Sequence, residues 1–251
     1  MLNIVIPMAG AGSRFSKAGY ADPKPLIRIS GVEMIKVVIG NLRPKCAHRF
    51  IFICQNVHLV EYELVEKLNL WAPGCEIISL DGLTEGAACT VLMAKKFIDN
   101  DDPLMIANSD QYIDADINSY LNEIALRKLD GLIMTMKASD PKWSFVGLDA
   151  DGLVNTVVEK KVISDEATVG IYNFARGRDF VAAAESMIAL EERVNGEYYV
   201  APAYNHLTTA GKAVGIFNVG SEAEGMYGLG TPADLELFLT LPVHVQATEG
   251  L

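Results

Sequence analysis

The residues with the most chemical content lie directly behind the first hydrophobic run, in Pro7-Met8-Ala9-Gly10-Ala11-Gly12-Ser13-Arg14-Phe15. Closely spaced glycines let backbone N–H groups turn toward an anion with no Cβ in the way, and Arg14 adds a charged donor that can take two phosphate oxygens. The loop suits a triphosphate. A GxG after a strand also serves dinucleotides, and some such turns are merely tight. The dinucleotide fingerprint asks for a third glycine where this chain has Phe15, and the P-loop asks for a Gly-Lys-Ser/Thr that the loop does not contain. Instead a polar stretch from Ser16 to Asp22 leads into Pro23-Lys24-Pro25-Leu26. Prolines on both sides restrict the backbone at Lys24, so a mobile loop would present its ammonium at low entropic cost. The plainer alternative is a solvated surface lysine.

Further along, Leu104-Met105-Ile106-Ala107-Asn108-Ser109-Asp110 is an apolar strand ending in an acid. An open α/β sheet keeps its ligand crevice at such strand ends, although a lone Asp there also serves as a turn or cap residue. Val158-Glu159-Lys160-Lys161, taken by itself, is a charged strand end. His48, His58, His206 and His244 are scattered and none belongs to a nucleophile motif, so no Ser/His/Asp hydrolase is readable. Trp71, Trp143 and the pair Tyr198-Tyr199 read as packing aromatics. Cys46, Cys54, Cys75 and Cys89 form no CxxC pair and no zinc-spaced cluster, which leaves reduced, partly buried thiols.

Taken together, Gly-Ala-Gly-Ser-Arg-Phe and the following Pro-Lys-Pro-Leu resemble the N-terminal signature of the sugar-phosphate nucleotidylyltransferases, the nucleoside-diphosphate-sugar pyrophosphorylase-like family. The resemblance implies a Rossmann-like, GT-A-like fold and transfer of a nucleoside monophosphate from an NTP to a small phosphorylated acceptor, with release of pyrophosphate. By that match Ala9, Gly10, Ala11, Gly12 and Ser13 wrap the nucleotide phosphates, while Arg14 and Lys24 neutralise charge during the transfer. Thr84-Glu85-Gly86-Ala87-Ala88 is similar to the family's base-holding turn, with Gly86 against the nucleobase. Asp110 resembles the ligand of a Mg²⁺ cofactor. Gly147 resembles a glycine that lies along the sugar, Glu159 a partner of acceptor hydroxyls or amine, Lys160 a ligand of the acceptor phosphate, and Tyr172 belongs to the strand closing the acceptor pocket.

The match departs from the family in Met226-Tyr227-Gly228-Leu229-Gly230-Thr231, where Gly228 stands at the place of a second metal-binding acid or Asn. Asp234 is near, and reads as a first-turn acid of the closing helix. The implied substrates are CTP, dTTP or UTP and, by default, a sugar 1-phosphate feeding surface polysaccharide. A phosphocholine-like ester is the alternative within the class, and a non-catalytic nucleotide-sugar sensor is the alternative outside it. A glycosyltransferase is disfavoured because Asp110-Gln111-Tyr112 is not the DxD that such enzymes use for metal.

These residues need a scaffold, and composition bounds it. The chain has 251 residues, half of them apolar, which suffices for a full-sized core. Its formal net charge of -11 opposes nonspecific binding to nucleic acid or an anionic membrane. No signal-peptide pattern or membrane-length apolar run is readable, so the expectation is a cytoplasmic enzyme, with self-association left open. Short β-branched runs alternating with helical-period segments predict a mixed, mostly parallel central sheet flanked by helices. The predicted helices include Leu59–Leu68 and Ala87–Ile98. After Asp140-Pro141-Lys142-Trp143, short strands at Phe145–Leu148, Leu153–Glu159 and Thr168–Phe174 predict a small antiparallel insertion. The expected organisation is one nucleotidyltransferase domain over 1–251, with a nucleotide-binding part at 1–140 and an acceptor-binding part at 141–220.

Overall fold

The computed structural model describes residues 1–10 and 12–251. Its strands in chain order are β1 (Leu2–Met8), β2 (Arg28–Ile29), β3 (Val32–Glu33), β4 (His48–Gln55), β5 (Glu76–Leu80), β6 (Leu104–Ala107), β7 (Gln111–Ile113), β8 (Gly131–Lys137), β9 (Ser144–Leu148), β10 (Val154–Glu159), β11 (Glu166–Phe174), β12 (Val214–Glu222) and β13 (Gly225–Gly228). The helices are α1 (Ser13–Lys17), α2 (Met34–Leu42), α3 (Asn56–Glu61), α4 (Leu64–Trp71), α5 (Ala87–Leu92), α6 (Lys95–Ile98), α7 (Ile117–Arg127), α8 (Gly177–Ala189), α9 (Tyr204–Thr209), α10 (Pro232–Thr240) and α11 (Val243–Thr248).

The main sheet runs β5-β4-β1-β6-β11-β8-β12-β13-β7. Strands β5, β4, β1 and β6 are mutually parallel, β11 runs antiparallel to β6 and β8, and β12 returns parallel to β8. The antiparallel pair β9 and β10 joins this sheet through β11 at Phe145–Ala167 and forms the small insertion; Thr168–Phe174, expected as its third strand, instead belongs to β11 in the middle of the main sheet, between β6 and β8. Strand alternation explains how the sheet is covered on both faces. Ile4, Ile6, Phe50 and Phe52 pack toward α2 and α4, while Val5, Ile51 and Ile53 pack toward α5, α6 and α8. A third cluster of Phe15, Ile29, Met34, Tyr112, Leu229, Leu235 and Phe238 ties the first loop to the closing helix.

Several elements differ from the sequence expectation. The expected helix 59–68 is two helices, because Glu63 takes a left-handed conformation at φ 52°. The expected helix 87–98 is likewise broken between Leu92 and Lys95. Strands β7 and β13 and the hairpin β2–β3 were not expected; each is short, and its apolar residues contribute too few alternations to stand out from a loop. Among the described residues no helix is long and apolar enough to cross a membrane.

Candidate functional site

Strand β1 delivers the chain to the end of the parallel strands, where Ala9 and Gly10 begin the first loop. Gly12 is left-handed (φ 59°) and caps α1, and its carbonyl accepts the Phe15 N–H at 3.1 Å. Phe15 is 1% exposed and meets Tyr20 edge-on at 5.1 Å. The position that a dinucleotide fingerprint would fill with glycine is therefore an anchor, whose burial contributes about 1.5–3 kcal/mol. It leaves Ser13 and Arg14 exposed on the short helix. The Gln55 amide donates to the carbonyls of Ala9 and Gly82, so it fastens the first loop to the loop behind β5. Ala11 lies outside the described residues.

Lys24 lies in a hydrogen-bonded 3-10 turn, Lys24–Leu26, with Pro25 and Leu26 buried, rather than in the open loop expected. A methyl group on Gly12 would come to 3.5 Å from the Lys24 Cβ, so the glycine loop and the lysine turn are neighbours. The Lys24 ammonium reaches Asp110 Oδ2 at 2.9 Å, both side chains being 23% exposed. The Asp110 carbonyl in turn accepts the Leu229 N–H at 2.8 Å, which fixes the acid against the chain leaving β13. A methyl group on Gly230 would come within 2.7 Å of Asp110 Oδ2, so glycine there keeps space open beside the carboxylate. A Cβ on Gly228 would lie 3.7 Å from the Asp234 Cγ, and Asp234 stands in the first turn of α10 as its sequence suggested. Among the described residues no group of three or more His, Cys, Asp or Glu gathers to hold a metal.

Two cavities open on this edge. The first, about 340 Å³, is lined by Pro7, Ala9, Gly10, Thr84, Gly86 and Asn108, with Glu197 and Tyr199 across from them. Gly86 caps α5 at φ 130°, and the segment after α8 crosses it closely: a methyl group there would meet the Tyr198 backbone N and O at 2.5 Å. That crossing is hydrogen-bonded on both sides, from Tyr198 N–H to the Glu85 carbonyl at 2.8 Å and from Ala88 N–H to the Tyr198 carbonyl at 3.0 Å.

The second cavity, about 250 Å³, is lined by Lys142, Trp143, Ser144, Glu159, Thr168 and Tyr172, and shares Ala87, Asn108 and Tyr199 with the first. Glu159 is 8% exposed and accepts a hydrogen bond from the Ser144 hydroxyl. Burial pushes its carboxyl above the ordinary range, against the opposing effect of the Ser144 hydroxyl and the Lys160 charge. Burial likewise raises the Tyr172 phenol, which shares a 3.0 Å hydrogen bond with Thr168. Lys160 follows β10 at φ 54°, and its ammonium donates to the Tyr199 hydroxyl at 2.6 Å; that bond raises the lysine above its ordinary value.

The fold thus brings Gly10, Gly12, Lys24, Gly86 and Asp110 to one end of the parallel strands, with Glu159 and Tyr172 in the adjoining cavity. Gly147 is placed differently: it is not among the lining residues, and a methyl group there would meet Thr156 of the neighbouring strand at 2.7 Å. Asn108, Lys142, Trp143, Ser144 and Tyr199 are lining residues that sequence reasoning missed or took for packing. Asn108 stood beside Asp110 and was the most findable. The others come from the β8–β9 connection, the start of β9 and the segment after α8, which only the tertiary fold brings to the cleft. Tyr112, which stands where a DxD site has its second acid, is a phenol that is 7% exposed and packs on Phe238.

A model of the family described as Nucleotidyl transferase matches residues 4–208 of the chain. Among solved structures, the nucleoside-diphosphate-sugar pyrophosphorylase of Vibrio cholerae RC9 is similar at 27% identity and a TM-score of 0.81, over 95% of this chain and 100% of that one. The inositol-1-phosphate CTP transferase of T. maritima shares the fold at 16% identity and a TM-score of 0.70, over 99% and 97%. A UDP-glucose pyrophosphorylase complexed with UDP-glucose does so at 15% identity and 0.72, over 96% and 97%.

Proposed function

Because the chain belongs to the nucleotidyl transferase family, we propose that this enzyme transfers NMP from CTP, dTTP or UTP to a small phosphorylated acceptor, a sugar 1-phosphate in the first instance. The observation that carries the reading is the paired cavity, whose shared wall of Ala87, Asn108 and Tyr199 lets two substrates meet. The glycine loop and Gly86 turn form one side, suited to a nucleotide. The second cavity, with Glu159 and Tyr172 inside and Lys160 at its rim, is suited to a phosphorylated polyol. The resulting activated compound would serve surface polysaccharide assembly.

An oxygen of the acceptor phosphate attacks the α-phosphorus, the bond from that phosphorus to the bridging oxygen breaks, and its electron pair leaves on pyrophosphate. No covalent enzyme intermediate is needed, since a phosphate monoester is already a nucleophile. The protein's task is to hold two polyanions in line and offset their repulsion. Backbone N–H groups around Gly10 and Gly12, with Ser13 and Arg14, take the triphosphate. Lys24 adds charge at the leaving pyrophosphate, and Lys160 takes the acceptor phosphate. Asp110 fits a Mg²⁺ ion: its carboxylate already draws a cationic group to 2.9 Å, and Gly230 leaves it room. When bound, that ion would offset charge on the phosphate oxygens, and one carboxylate is enough because Mg²⁺ accepts phosphate oxygens and water for its remaining ligands.

A second reading, transfer of CMP to a phosphocholine-like ester, is favoured by one feature of the acceptor cavity. Glu159 shares it with Trp143, Tyr172 and Tyr199, and a carboxylate among aromatic faces suits a quaternary ammonium. Parallel assays with glucose 1-phosphate and phosphocholine separate the two acceptors. For either, Lys24→Ala and Asp110→Asn are expected to lower kcat by at least about 100-fold while the protein stays folded by circular dichroism. Normal turnover in both variants would refute the assigned roles.

A further inference from the structure

The sequence offers Tyr198 and Tyr199 as an indistinct aromatic pair, and the fold gives them opposite fates. Tyr198 is 1% exposed and lies beneath the Arg193 guanidinium, 4.4 Å from its ring centroid. Its backbone is the strip locked to Glu85 and Ala88. Tyr199, the next residue, lines both cavities. Its hydroxyl accepts the Lys160 ammonium at 2.6 Å, and the same nitrogen lies 4.8 Å from the ring centroid. Lys160 is exposed and sits at a left-handed turn, with its own N–H bonded to the Trp143 carbonyl at 3.1 Å. A lysine stem has many rotamers, and fixing it costs entropy that a rigid partner can meet before substrate arrives.

Resting on the transfer reading above, we propose that Tyr199 is a positioning residue: it holds Lys160 at the seam of the two cavities, where the acceptor phosphate must face the α-phosphorus. The strip 197–199 is pinned to the base-holding turn at Gly86, so the post that carries Lys160 belongs to the nucleotide side of the cleft. Placement of the acceptor's cation is thereby referenced to the nucleotide. The lysine exchanges the phenol for an acceptor phosphate oxygen by a short swing about its terminal bonds.

Tyr199→Phe keeps the ring in both walls and deletes only the hydroxyl. Using whichever pair of CTP, UTP or dTTP with glucose 1-phosphate or phosphocholine the wild type turns over fastest, Tyr199→Phe is expected to raise the acceptor KM about tenfold, the loss of a charge-assisted hydrogen bond. The KM for the nucleotide should stay within about twofold, because the ring and backbone remain. In a Lys160→Met background the same change should add nothing, since the group it positions is gone. Equal effects in the two backgrounds, or an unchanged acceptor KM, would overturn the proposal.

A second measurement needs no turnover. NMR of ¹³C-dimethylated lysines, with the Lys160 signal assigned by its loss in Lys160→Met, should show Lys160 titrating at higher pH in the wild type than in Tyr199→Phe. Coincident titrations would show that the phenol does not hold the amine. If the wild type turns over none of the pairs, the transfer reading fails and this titration alone decides the arrangement.

Discussion

Glu159 shows how one residue can be read twice. In the sequence it is a charged strand end; in the fold it is a buried carboxyl lining the second cavity, with its acidity weakened mainly by desolvation. A carboxyl whose folded pKa is raised binds its proton more tightly in the folded than in the unfolded chain. Stability then falls as pH rises from the ordinary glutamate range through the folded value, and the cost is complete above it. Glu159→Gln removes that cost. Thermal unfolding is expected to show the variant more stable than the wild type at pH 7–8, with the advantage vanishing near pH 4, while its acceptor KM rises about tenfold from the lost charge-assisted hydrogen bonds. An equal stability difference at both pH values would deny the cost of burying this carboxyl. Lys24 and Asp110 were singled out for a different reason: Lys24 belongs to the motif that carried the resemblance, and Asp110 was picked out by what that resemblance implies. Their 2.9 Å contact spans 86 positions of chain and belongs to the fold alone.

At the scale of elements, the glycines divide into those the fold needs and those the ligand needs. A methyl group on Gly10 would meet nothing within 4 Å, whereas one on Gly86 would strike the Tyr198 backbone at 2.5 Å from a conformation of φ 130°. Gly86→Ala should therefore destabilise the protein by about 1–3 kcal/mol in urea unfolding and weaken nucleotide binding with it. Gly10→Ala should unfold like the wild type and lose nucleotide affinity, because only the approach of phosphate to the backbone is obstructed. If Gly10→Ala binds CTP, UTP and dTTP as the wild type does, the loop is only a turn. The strands β1, β4 and β6 were legible because buried parallel strands are continuous apolar runs. Strand β7 and strand β13 were not, since Gln111–Ile113 and Gly225–Gly228 are defined by each other's register. The split of the expected helix at Glu63 was also hidden, because nothing in Tyr62-Glu63 signals a left-handed residue.

For the molecule as a whole, the parallel strands β5, β4, β1 and β6 end on one edge of the sheet, and Glu159 at the end of β10 lines a cavity that shares Ala87, Asn108 and Tyr199 with the one at that edge. The net charge of -11 opposes nonspecific attraction of polyanions, so a polyanion has to be held by local groups rather than by the field of the whole protein. The first cavity was the more legible, because Ala9 and Gly10 belong to one glycine-containing run directly behind β1. The second cavity is assembled from the β8–β9 connection, β9, β10, β11 and the strip after α8, and no local pattern announces such an assembly. The most direct test of the central claim is pyrophosphate release by the wild-type protein from CTP, UTP, dTTP or ATP with Mg²⁺, in the presence and absence of glucose 1-phosphate and phosphocholine. Release from at least one pyrimidine nucleotide is expected, dependent on acceptor and abolished by EDTA. Nucleotide binding by calorimetry with no acceptor-dependent pyrophosphate from any pair would contradict it.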